Sequence, residues 1–365
     1  MQILQGGSMR AMFFLSLSLL LVLQETFACT GIKLTAKDGS IIHGRTLEFA
    51  VPLETAIAVI PRGYAFTGTT PAGPGLAYSA KYAAVGTIVF DRSSILDGLN
   101  EKGLSVGTFY FSGFAEYAKV TEENRSYALS PLEFSNWILT QFATVAEVKA
   151  ALSRVCIAST ADEAWGSVPP PFHYIVYDKT GNCLVIEPLK GALAAYDNKL
   201  GILTNSPSFD WHMTNLRNYI NLRAENAPPL KLEGIELAPL GQGTGMVGLP
   251  GDFTPTSRFV RAAMFSYTAL PTSNAKECVL QLFHLLNQFD IPKGVARDRE
   301  NGAQADYTMA TCVRDPQALS YYFKTYEDQT IRMVNLRNFD LNAKQIKKVP
   351  TSSEQPILEI SSLLR

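Results

Sequence analysis

The chain has 365 residues, of which 47% are hydrophobic and 18% charged, and its formal net charge is −1. That composition suits a well-filled core and excludes a disordered chain. Balanced charge without a basic stripe argues against nucleic acid as a partner.

The opening segment has the three parts of a secretory signal. Arg10 is positive, Phe13 to Leu23 is an apolar core, and Thr26-Phe27-Ala28 is a small-x-small cleavage pattern. The expectation is that residues 1–28 are removed and residues 29–365 form one domain, exported to the periplasm or secreted. The apolar run is short for a bilayer span, so a retained anchor is the lesser alternative. No linker-like shift, repeat or low-complexity block divides the remainder.

From Cys29 the chain reads as strand, turn, strand: "CTGIKLTA", "KDG", "IIHGRTLEF". Strands are expected next at "AIAVIP" and "YAAVGTIVF", then a turn leading into a strand within "DGLNEKGLSVGTFYF". Ser130-Pro131-Leu132-Glu133 is a helix start, with Ser as cap and Pro in the first position. Helical spacing runs from Leu132 to Val155, broken near Thr144. A hairpin follows in "FHYIVYDKTGNCLVIEPL", turning at Asp178 to Gly181, and "LAAYDNKLGILTNSP" repeats that pattern. "DWHMTNLRNYINLR" is helical. The loop "LGQGTGMVGLPGDFTP" precedes helices near Ser257–Tyr267 and Ala275–Gln288, and the end, "ADYTMATCVRD" through "IRMVNL", is strand-rich. The fold class is α+β.

The five cysteines are widely spaced and include no CxxC pair, so a zinc site is not expected. Cys156, Cys183, Cys278 and Cys312 read as buried small hydrophobes. Cys29 has a different address, directly after the cleavage pattern. If it becomes the first residue, one amino acid carries a thiol of reference pKa ~8.5 and an α-amine of ~7.7–8.0. Nucleophile and base are then supplied together, and no histidine is required. A lipid attached to the same cysteine is the rival reading, which bulky Phe27 fits badly.

Arg45 and Glu48 lie on the return strand. Arg45 is placed to favour the thiolate and Glu48 to orient the amine, unless the two form an ordinary surface pair. Asn205 stands at a strand end, either as an oxyanion donor or as a turn residue. Arg258 begins a helix, pointing outward or into a site. The glycine loop lacks the Gly-Lys-Ser/Thr ending of a phosphate loop. His212 with Asp210 reads as helix structure rather than a metal pair.

The motifs "CTGIKLTAKDGSIIHGRTLEF", "DGLNEKGLSVG", "LTNSPSFDWHMTNLRNY" and "LGQGTGMVGLPGDFTPTSRFVR" together resemble the choloylglycine hydrolase family. That family includes bile salt hydrolases and penicillin V acylases, and the likeness runs from Cys29 to about Leu336. The resemblance implies an αββα sandwich of the N-terminal nucleophile (Ntn) hydrolases. It implies hydrolysis of a non-peptide amide in an N-acyl compound, with no cofactor and no metal. Carried over, Cys29 is nucleophile and base, Arg45 supports the thiolate, and Glu48 stands where well-known members have Asp. Asn205 gives a side-chain donor to the oxyanion hole, the Tyr110 N–H a backbone donor, and Arg258 completes the charged site. Tyr110 tilts the substrate toward an aromatic or fatty acyl group, whereas the segment after Asn205 looks more like the bile salt side. Leu47 and Phe49 are expected to help hold the acyl group. The family implies a homotetramer, assembled partly through "FDWHMTNLRNYINLRAENAPPLKLEG". The alternatives are an N-acyl homoserine lactone acylase and a lipid-anchored binding protein without turnover.

Overall fold

The computed structural model describes residues 28–297 and 305–364. The expected signal, apart from Ala28, lies outside the described residues.

Two antiparallel sheets stack face to face. The first is led by β1 (Cys29–Thr35) and β2 (Ile41–Phe49) and continues through Ala305–Asp315, Ser320–Thr325 and Arg332–Asn335. The second has eight strands, in the order Ala192–Asp197, Cys183–Leu189, Phe172–Tyr177, Ser105–Tyr110, Ile95–Asn100, Ala84–Ile88, Ala56–Ile60 and Lys347–Pro350. Helices α1 (Phe134–Gln141) and α2 (Val145–Ala151) cover the second sheet, and α3 (Phe209–Leu216) packs on α4 (Pro255–Thr268). With α5 (Ala275–Leu286), α4 covers β1 and β2 on the first sheet. The layers run helix, sheet, sheet, helix, the αββα order expected.

Local chemistry explains most boundaries. Thr144 caps α2 by accepting from the Glu147 N–H, and Glu147 accepts from the Ala143 N–H, which makes the helix break reciprocal. Asn274 caps α5 through the Glu277 N–H at 3.1 Å. At Ser130 the outcome differs from the expected cap. Residues 131–133 form a turn and α1 begins at Phe134. The Glu133 carboxylate accepts from the N–H groups of both Ser130 and Thr69, which ties that turn to a neighbouring strand.

The expected second hairpin after Ala192–Asp197 does not form. Asn198 turns the chain by accepting from the Gly201 N–H and donating to the Ile202 carbonyl. The chain then leaves the second sheet and makes an isolated bridge between Leu203 and Gly31 of β1. This crossing places Asn205 beside Cys29. Two strand pairs fell outside the expected elements: Ala65–Thr70 with Gly73–Ser79, and Leu230–Leu232 with Ile235–Leu237.

Candidate active site

Antiparallel pairing sets Cys29 opposite Leu47 and Gly31 opposite Arg45. Strand alternation therefore puts Arg45, Leu47 and Phe49 on the face toward the second sheet and Glu48 on the other. Arg45 is fully buried. Its Nη2 donates to Cys29 Sγ at 2.6 Å, its Nη1 to the Thr108 carbonyl at 2.5 Å and its Nε to the Thr46 carbonyl at 3.0 Å. The guanidinium lies 4.2 Å over the Phe109 ring, a cation–π contact. Gly31 makes room for that ring, because a Cβ there would sit 2.9 Å from its tip.

Asn205 and Arg258 close the other side. The Cys29 N–H donates to Asn205 Oδ1 at 2.8 Å, and Asn205 Nδ2 donates to the Tyr110 carbonyl at 2.8 Å. Arg258, in the first turn of α4, donates to the Cys29 carbonyl, to Thr30 Oγ1 at 3.0 Å and to Asn205 Oδ1 at 2.7 Å. Three atoms of one residue, N, O and Sγ, are thus each held by a different side chain. His212 of α3 supports the arrangement: it is buried, stacked on Phe259, and donates Nε2–H to the Asn205 carbonyl at 2.9 Å. Burial lowers its pKa to about 4, so it is neutral at physiological pH.

Glu48 departs from its expected place. It is buried and makes no surface pair with Arg45. Its Oε1 accepts from Thr308 Oγ1 at 3.0 Å, its Oε2 has no hydrogen-bond partner among the described residues, and the Cys29 nitrogen is held by Asn205 instead. The reason is alternation along β2. Burial raises the Glu48 pKa to about 8, against the pull of Arg258, so the carboxyl is largely protonated at neutral pH. Leu47 and Phe49 are also corrections. Both are buried in the large core that also takes in α1, α2 and residues of the second sheet, Phe49 edge-on to Trp165, and neither lines the cavity above Cys29. Buried on all sides by that core, they have no open volume to offer.

Electrostatics bears on the thiol. Burial pushes the Cys29 thiol above its ordinary value, and this outweighs the lowering by Arg45 and Arg258. The expected net depression is not found in the chain with Ala28 still attached. Burial lowers Arg258 to about 10, which leaves it charged at neutral pH.

The cavity over Cys29 holds about 520 Å³. Ala28, Asn205 and Arg258 border it on the nucleophile side, and Tyr110, Phe114 and Phe253 supply aromatic surface. Phe109, Phe253 and Thr308 were missed by the sequence reading. The register of β2 against Ala305–Asp315 sets Thr308 opposite Glu48, whereas Phe109 comes from the facing sheet and Phe253 from the loop before α4, which no local pattern ties to Cys29. Among the described residues, no group of three His, Cys, Asp or Glu could hold a metal ion. The five cysteines are all free thiols, with Cys183, Cys278 and Cys312 buried and Cys156 half-buried. While Ala28 precedes it, the Cys29 nitrogen is an amide and no base. Freed, it would be an amine beside a thiol under a guanidinium, a set able to attack a carbonyl bound in the cavity.

Residues 29–349 match the family described as linear amide C–N hydrolases, choloylglycine hydrolase family. The chain is 34% identical over 323 residues to the bile salt hydrolase/transferase of Clostridium perfringens, covering 87% of this chain and 95% of that one. A mutant of the conjugated bile acid hydrolase from Clostridium perfringens has a solved structure that superposes with a TM-score of 0.81 at 32% identity. It covers 91% of this chain and all of that one. The fold is shared with penicillin V acylase from Agrobacterium tumefaciens, at TM-score 0.71 and 21% identity, over 88% and 91% of the two chains. The chain therefore belongs to the choloylglycine hydrolase family: it is an Ntn-type hydrolase of linear amide C–N bonds in N-acyl compounds.

Proposed function

We propose that the chain is exported, is cut before Cys29, and then hydrolyses an N-acyl amide whose acyl group occupies the aromatic cavity. The observation that carries this reading is the convergence on Cys29: Arg45 at the sulfur, Asn205 at the nitrogen and Arg258 at the carbonyl oxygen.

In the proposed reaction the freed α-amine takes the thiol proton, and the thiolate attacks the amide carbon. Arg45 lowers the cost of the negative sulfur. Asn205 Nδ2, which has a second N–H beyond the one given to the Tyr110 carbonyl, and the Tyr110 N–H stabilise the oxyanion. The C–N bond breaks as the α-ammonium returns its proton to the leaving amine. Water then adds to the thioester, and the acid leaves as the thiol is restored. No step requires a cofactor.

Tyr110 and Phe114 on the cavity wall favour a conjugated bile acid or an aryl-acyl substrate of the penicillin V kind. A homotetramer is supported by the exposed apolar pair Leu230–Leu232 and Ile235–Leu237 in the long segment after α3. Light scattering checks this.

The test is Cys29→Ser in the exported protein. Turnover should fall at least ~10³-fold with the fold retained. Retained turnover would sink the mechanism. A panel of taurine- and glycine-conjugated bile acids, penicillin V and acyl homoserine lactones identifies the substrate. An intact mass carrying a diacylglyceryl group on Cys29 would instead establish the lipid-anchored binding protein.

A further inference from the structure

We propose that the fold carries a second ligand site, which takes a monoanionic amphiphile of the fatty-acid class. It is a cavity of about 320 Å³ formed where the C-terminal ends of β1 and α4 meet the start of α5. The nucleophile lies at the opposite ends of the same two elements. Seven residues of β1 and fourteen of α4 each span about 20 Å, so the two cavities are separate.

The lining has two chemistries. Lys33 and Lys199 are the charged groups, and no acidic side chain lines the cavity among the described residues. Lys33 gives one N–H to the Gly181 carbonyl at 2.7 Å, which anchors the ammonium and leaves two donors. Lys199 is exposed and makes no ion pair among the described residues. Asp38, whose charge reaches Cys278, is outside the lining and accepts from the Ser40 N–H. Opposite the lysines stand Tyr267 and Leu270, each 84% exposed, with Leu200 beside them and buried Cys278 in the lining.

Large apolar side chains left in water around a concavity, rimmed by one sign of charge, are the pattern of a ligand site rather than of ordinary surface. The carboxylate belongs at Lys33 and Lys199, and the apolar tail on Tyr267 and Leu270. Charge complementarity excludes a cation, and the apolar wall excludes a small hydrophilic anion.

The experiment titrates sodium laurate, below its micelle concentration, into the full chain by calorimetry. The parent, Lys199→Glu and Leu270→Asp are compared, with dodecyltrimethylammonium as a tail-matched cation. Both substitutions are on the surface and outside the catalytic machinery, so turnover without laurate matches the parent. Laurate should bind the parent, and each variant should weaken that binding about tenfold or more (about 1.4 kcal/mol). Dodecyltrimethylammonium should not bind here. Failure of laurate to bind, equal affinity in both variants, or cation binding as tight as laurate overturns the site. Equal affinity would mean that laurate is held in the cavity over Cys29 instead.

Discussion

Arg314 and Arg45 are both fully buried on the first sheet and both reach toward the second, but their company differs. Arg314 Nη1 meets Asp97 Oδ2 at 2.7 Å, and Asp97 Oδ1 also accepts from Tyr321 O–H at 2.9 Å. Its charge is compensated by a carboxylate from the facing sheet. Arg45 has no ion-pair carboxylate among the described residues, and donates to two carbonyls and to a thiol. The comparison separates two uses of a buried guanidinium. One closes a charge pair that joins the sheets, and the other holds its charge beside the sulfur of Cys29 without a contact ion pair among the described residues.

The largest expected effect is on the compensated side. Arg314→Leu leaves Asp97 buried without its partner, which costs about 3–5 kcal/mol of stability. Urea melts should show that loss, while the folded fraction keeps turnover within a few-fold. Arg45→Leu should reverse the pattern. Turnover falls at least about 10²-fold, equivalent to about 3 kcal/mol of activation free energy, and the melt moves less than in the Arg314 variant. Equal destabilisation by the two substitutions would erase the distinction.

The smallest effect concerns Glu48. Its folded pKa of about 8 lies above the ordinary ~4.3 of an unfolded glutamate. The folded chain therefore binds this proton more tightly. The stability it contributes is fully present below about pH 4.3 and is lost as pH rises toward 8, by at most about 1.4 kcal/mol per pH unit. In the chain that retains Ala28, Glu48→Gln should flatten the decline in stability between pH 5 and 8 by about 1–3 kcal/mol. A pH profile identical to the parent would show that the carboxyl is already ionised, and that its buried oxygen is compensated.

Much of this was legible locally. The turn at Asp38-Gly39 and the alternation on either side give β1 and β2, and the Thr144/Glu147 and Asn274/Glu277 pairs mark two helix starts, because capping acts within four residues. Arg45, Asn205 and Arg258, each singled out from the sequence, all contact Cys29. Errors arose where partners are distant in sequence. "LAAYDNKLGILTNSP" was expected to form a hairpin, but past Asn198 the chain leaves Ala192–Asp197 and Leu203 bridges to Gly31 instead. Leu47 and Phe49 were expected to help hold the acyl group, although both are buried in a core built from distant elements.

Covalent order by itself determined that a cysteine follows an apolar run and a small-x-small triplet, that two strands begin at that cysteine, and which charged side chains are available to them. Only the tertiary structure decided that Asn205, rather than Glu48, holds the nitrogen of Cys29, and that burial raises the thiol against two arginines. The reason is physical. Turns and caps are settled by neighbours along the chain, whereas the direction a strand residue faces, and the solvent it loses, depend on the sheet and helix packed against it.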